Sequence, residues 1–144
     1  MFVHEIKDRL VAQGVGTYGT NIFIGAKAKI PALGSNEEPT NGAGPFLSLV
    51  ETGGSGSAKT QNDTATERPT LQIVTRATAT PDARNMLIAA YAALGGANGL
   101  YNVTLGATFY LSITARQSIP TEIGTDDPGR AMFSMNFDAE KQPS

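Results

Sequence analysis

Apolar residues recur at four-residue spacing at the start of the chain: Phe2, Ile6 and Leu10, with Val3 and Val11 widening the stripe. Glu5, Lys7, Asp8 and Arg9 are placed on the wet side, so residues 2 to 13 are predicted as an amphipathic helix. Gly14 and Gly16 end it, as glycines do just past a helix C-terminus. A second helix is predicted from Thr80 to about Leu94. Its stripe is Ala83, Met86, Leu87, Ala90, Tyr91 and Leu94. Thr80 supplies an N-cap hydroxyl, Pro81 the first helical position and Asp82 an acid in the first turn. Gly95-Gly96 stops this helix, and its alanines suit close approach to a sheet.

The remaining apolar pattern has a period of two, the period of strands. A short strand is predicted around Ile22 to Lys27. Another is "FLSLVET", with Leu47 and Leu49 on one face and Phe46 and Val50 on the other. In residues 70 to 78, Leu71, Ile73 and Thr75 alternate with Gln72, Val74 and Arg76. Residues 101 to 116 read as one long strand, with Phe109, Leu111, Ile113 and Ala115 opposed to Thr108, Tyr110, Ser112 and Thr114. A last run from Arg130 to Asp138 sets Ala131, Phe133, Met135 and Phe137 against Met132, Ser134 and Asn136.

Two stretches carry no period. Residues 31 to 45, "PALGSNEEPTNGAGP", are dominated by loop formers. Residues 53 to 67, "GGSGSAKTQNDTATE", have linker-like composition and are expected as a flexible loop between two strands. The expected architecture is one α+β domain, residues 1–144, with loops at 31–45 and 53–67. Its sheet is mostly antiparallel, of four to five strands, with two helices packed on one face. The length fits one domain.

Charge and composition remove several function classes. Only 17% of residues are charged and the net charge is -2, so no strong field favours specific nucleic acid binding or an anionic membrane. There are no cysteines, which excludes disulfides, thiolate metal sites and cysteine nucleophiles. No apolar run approaches the roughly 18 residues of a membrane span. "MFVHEIKDRL" lacks a signal-peptide core, so the chain is expected to be made and kept in the cytoplasm until assembly or use.

Candidate chemistry is sparse. His4 is the single histidine, and it falls on the first helix without a nucleophile motif to serve. "GGSGS" would need a following helix to make Ser55 or Ser57 a nucleophile, and none is predicted. "GVGTYG", residues 14 to 19, follows a helix rather than a strand, which is the wrong context for a dinucleotide. No cofactor is implied. The adjacent acids Asp126 and Asp127 are the strongest candidates for a metal or acid/base pair, with Glu122 and Asp138 as further oxygen donors. The competing reading is a turn: Asp opens it, Pro128 presets φ, Gly129 accepts positive φ, and Arg130 begins the last strand. Arg76, Arg116 and Arg130, on or beside strands, are candidate interface residues.

"TLQIVTRATATPDARNMLIAAYAAL" followed by a strand and "IPTEIGTDDPGRAMFSMNF" resembles the tail terminator and minor capsid proteins of long-tailed bacteriophages. The family segment P-x-x-I-G-x-D-x-x-G-R matches Pro120, Ile123, Gly124, Asp126, Gly129 and Arg130. The resemblance covers nearly the whole chain outside the two loops. It implies a non-enzymatic virion protein at the head–tail junction, assembled in the host cytoplasm. Such a protein forms a homo-oligomeric ring, typically a hexamer, that caps the tail tube, ends its polymerisation and docks the head connector. DNA would pass through the ring without specific binding. Expected subunit contacts set Arg76, Arg116 or Arg130 against Glu51, Asp126 or Asp127. Another connector or stopper protein, or a small metal-dependent hydrolase using Asp126 and Asp127, are the alternatives.

Overall fold

The computed structural model describes residues 2–25, 30, 42–59 and 65–143, with side chains undescribed at 55–59 and 65. The first apolar stripe forms helix α1, Phe2–Ala12, and the second forms α2, Thr80–Ala93. The strands are β1 (Ile22–Ile24), β2 (Phe46–Lys59), β3 (Ala65–Ala77), β4 (Leu100–Leu105), β5 (Thr108–Ala115), β6 (Thr121–Thr125) and β7 (Ala131–Lys141). They make one sheet in the order β1-β2-β3-β7-β5-β4, and β6 also pairs with β7. Among the described strands only β1–β2 is a parallel pair. The architecture is α+β as expected, with seven strands where four to five were predicted.

The core lies between the helices and one face of the sheet. Leu47, Leu49, Leu71, Ile73, Phe133, Met135 and Phe137 meet Ile6, Leu10, Leu87 and Ala90 there, all buried. Each fully buried Leu, Ile or Phe side chain contributes about 1.5–3 kcal/mol relative to exposure. Thr75, fully buried on that face, donates a 2.7 Å hydrogen bond to the carbonyl of Ala83, which fixes α2 over β3. Arg9 Nε donates to the Ala93 carbonyl at 3.0 Å and ties the two helices together.

Several expectations change. Thr80 is the first residue of α2 rather than its cap; Ala79 is the cap position and provides no side-chain bond. Glu5 is buried rather than wet. The long strand expected at 101–116 is a hairpin, β4 and β5, turning at Gly106 (φ +60). Its facing also shifts. Tyr110 pairs with Lys141 and Ser112 with Glu140, so Leu111 is an extra residue in β5. This bulge changes the phase of the alternation. Thr108 and Tyr110 are therefore buried before it and Ile113 after it, while Phe109 and Leu111 are only half-buried.

The linker-like stretch at 53–67 is strand on both sides. β2 runs to Lys59 and β3 begins at Ala65, and they pair with each other. Residues 60–64, and residues 31–41 of the other expected loop, lie outside the described residues. Main-chain pairing with β3 holds the glycine- and serine-rich half of β2. Two register shifts, between Glu51 and Gly54 and between Ser55 and Ala58, each place an extra residue in β2. "TEIGT" is also a strand, β6, with every residue exposed. It carries no apolar alternation, and its pairing with β7 is what makes it one.

Candidate functional site

The turn from Asp126 to Gly129 forms as the sequence suggests. Gly129 N–H donates to the Asp126 carbonyl at 2.9 Å, with Gly129 at φ +99. Asp126 N–H donates in turn to the Arg130 carbonyl at 3.0 Å. Arg130 is the residue just before β7 and is 4% exposed, so it is a buried residue rather than a rim cation.

Both oxygens of Asp126 are occupied. Oδ1 accepts Arg130 N–H at 2.7 Å and Oδ2 accepts Arg130 Nε–H at 2.8 Å. Arg76, reaching from β3, brings Nη1 to 3.5 Å from Oδ2. Arg130 Nη1 donates to the Gly42 carbonyl at 3.0 Å, and its guanidinium lies 5.6 Å from the Phe46 ring centroid. Burial pushes the Asp126 pKa up. The hydrogen bonds from Arg130 and the charges of Arg130 and Arg76 outweigh it, and hold the carboxyl below its ordinary value. The result is a structural ion cluster that pins the turn to β3 and to the segment before β2.

The acidic pair therefore does not act together. Asp127 is exposed on the turn, while Asp126 is neutralised by arginine and has no free oxygen. Among the described residues no group of three or more His, Cys, Asp and Glu side chains is placed to hold a metal ion. His4 is exposed on α1, and Glu51 is exposed on β2 opposite Leu71. Of the six expected interface residues, the fold brings Arg76, Asp126 and Arg130 together. Arg116, Asp127 and Glu51 stand apart from them.

Arg116 belongs to a second cluster on the helix-free face of the sheet. Its Nε donates to Asp138 Oδ2 at 2.9 Å and its Nη2 to Asp138 Oδ1 at 2.7 Å. Both side chains are about half exposed. They border an open groove of about 560 Å³ across four strands, lined also by Thr52, Arg68, Thr70 and Glu140. Beside it, Gln117 Oε1 accepts the Asn136 N–H at 2.9 Å, where β7 passes from pairing with β5 to pairing with β6. Sequence reading missed that side chain, and no periodic signal marks it.

Two further polar pairs, each with a buried member, were also missed. Tyr110 Oη donates to Glu5 Oε1 at 2.7 Å, and Lys141 Nζ lies 2.8 Å from Glu67 Oε2 with Lys141 buried. Glu5 borders the apolar stripe of α1 by position, which was an available clue. The Lys141 pairing had none.

The sequence profile described as "Bacteriophage tail terminator protein" matches residues 9–143. The chain belongs to the bacteriophage tail terminator family. It is a structural protein of the phage tail and a part of the virion. A search of curated proteins finds no match. Among solved structures, a chain of the "Virion of native gene transfer agent (GTA) particle" superposes with a TM-score of 0.56 at 16% identity. The match covers 96% of this chain and 92% of that one, and it is a likeness of fold. In this tail terminator family member, the family-like segment from Pro120 to Arg130 spans the exposed strand β6 and the turn locked by Arg130.

Proposed function

We propose that this protein forms a closed ring, a hexamer in the family's usual form, on the head-proximal end of the tail tube. The ring ends tube polymerisation and presents the surface on which the head connector docks. The observation that carries this reading is the family match over residues 9–143. The geometry supports it: the paired carboxylates expected of an enzyme reading are a locked structural turn. The open surface instead offers polar groups, exposed isoleucines and sheet edges, which suit recognition by shape and hydrogen bonding. A ring requires head-to-tail contacts whose rotation closes. Arg116, Asp127 and Glu51, all exposed, are the charged residues proposed to meet a neighbouring protein.

The test pairs a gene deletion with purified protein. A phage lacking the protein is expected to make tails of uncontrolled length that fail to join heads, and added protein restores joining. Light scattering on the protein, alone and with purified tubes, is expected to show a discrete ring. Normal tail length without the protein, or a strict monomer that ignores tubes, overturns the reading.

A further inference from the structure

The sheet contains an all-antiparallel path, β2-β3-β7-β6, whose two outer edges are both open over part of their length among the described residues. On one side, β1 covers β2 only at Leu47 to Leu49. From Glu51 to Lys59, β2 pairs on its β3 side alone among the described residues. On the other side, β6 pairs with β7, and no described strand covers its outer edge. Unpaired strand edges are templates for another strand. β1 is three residues long and β4 carries Asn102 at φ +51 in its middle; the two open edges are themselves bulged, β6 between Glu122 and Gly124 and β2 at its two register shifts.

The β6 edge is also where large apolar side chains are left in water. Ile119 is 64% exposed and Ile123 46%, two of the five exposed large hydrophobics among the described residues, within five residues of each other. A strand laid along this edge would cover them.

We infer that β6 of one copy takes the Glu51–Lys59 half of β2 from a second copy as an added antiparallel strand. Three features favour a second copy. First, the two open edges lie on opposite sides of the same sheet, as a head-to-tail contact needs. Second, β2 and β7 both run antiparallel to β3, and β6 runs antiparallel to β7, so β6 and β2 run in opposite directions. A rotation about an axis roughly along the strands keeps those directions, so the joint is antiparallel, the more stable pairing. Third, the open edges are offset along the strands. Thr121 of β6 sits in the row Ser134, Val74, Ser48, whereas the open part of β2 begins beside Leu71, in the row of Phe137. Closing a sheet on itself requires such a stagger. The glycines of β2 leave no side chains to obstruct the approaching main chain.

This inference rests on the ring reading, and the test separates the two. The chain has no cysteine, so engineered pairs form only the disulfides intended. Thr121→Cys or Ile123→Cys is combined in turn with Thr52→Cys, Ser55→Cys or Ser57→Cys in the full chain, and oxidised. At least one pair is expected to give a ladder of covalent multimers on a non-reducing gel. A control pairing His4→Cys with Ser57→Cys is expected to stay monomeric on the gel. Ile123→Lys is expected to lose the oligomer by light scattering while keeping its thermal midpoint, since the residue is exposed. Rings that form without any of these crosslinks, and survive Ile123→Lys, overturn the edge assignment and leave the ring. A chain that never oligomerises, alone or on tail tubes, overturns both.

Discussion

Tyr110 Oη and Glu5 Oε1 lie 2.7 Å apart, joining positions 105 residues distant in the chain. Tyr110 is fully buried in β5 and Glu5 lies on the core side of α1, so this hydrogen bond ties the first helix to the sheet. Phe2 packs beside it, its ring centroid 6.2 Å from that of Tyr110.

Tyr110→Phe removes the donor and leaves the Glu5 carboxylate buried without it. The expected loss is about 1–3 kcal/mol, the cost of an unsatisfied buried polar group. Chemical denaturation of the variant beside the parent chain checks this. The phenol pKa is raised by burial and by the Glu5 hydrogen bond and charge. An acid that holds its proton more tightly when folded gives stability that is full below the unfolded value and lost above it. Stability is therefore expected to fall above about pH 10, the ordinary tyrosine value. The fall should be shallower in Tyr110→Phe.

Asp126→Ala removes the buried carboxylate that Arg130 Nε meets at 2.8 Å and Arg76 Nη1 at 3.5 Å. Breaking a buried pair from one side costs about 3–5 kcal/mol. Asp127→Ala, one position on and exposed, is expected to stay within about 0.5 kcal/mol of the parent. Thermal denaturation of the two single variants tests the contrast. Equal effects would mean the acidic pair works as a unit after all.

The same cluster sets an acid limit. The folded pKa of Asp126 is depressed, so its stabilisation is present above the unfolded value and is lost as pH falls towards the folded one. Stability is expected to decline below about pH 4, the ordinary aspartate value. Urea midpoints measured from neutral pH downward would show it, and Asp126→Asn should flatten that limb of the curve.

Gly54→Ala tests the first irregularity of β2. A Cβ at Gly54 would stand 2.0 Å from the Arg68 carbonyl oxygen, beside Pro69, which has no N–H to offer the ladder. Main chain rather than a movable side chain blocks the methyl group. Overpacking of this kind costs about 1–3 kcal/mol. Hydrogen exchange should show the loss concentrated in the β2–β3 hairpin.

Arg116→Ala and Asp138→Ala break a half-exposed pair that water screens and salt weakens further. Both variants are expected to fold normally. Failed head joining by such a folded variant, in a complementation assay, would mark this face as a contact surface. Full joining would remove the pair from the proposed interface.

The sequence by itself determined the elements whose pattern is local. α1 and α2 follow from stripes at helical spacing, β7 from the alternation of Ala131, Phe133, Met135 and Phe137, and the Asp126–Gly129 turn from its own residue types. The tertiary structure decided whatever depends on a distant partner. The stretch at 53–59 is strand because β3 supplies its hydrogen bonds, although its composition is that of a linker. β6 has no apolar pattern and exists because β7 has a free edge beside it. Leu111 shifts the facing of β5 through its register with β7, which no count along β5 reveals. Asp126 is a locked ion-pair partner because Arg76 arrives from β3 and Gly42 from the approach to β2. A period in sequence reports which side of an element meets the core. It does not report which main chain or which charge comes to meet a residue from elsewhere in the chain.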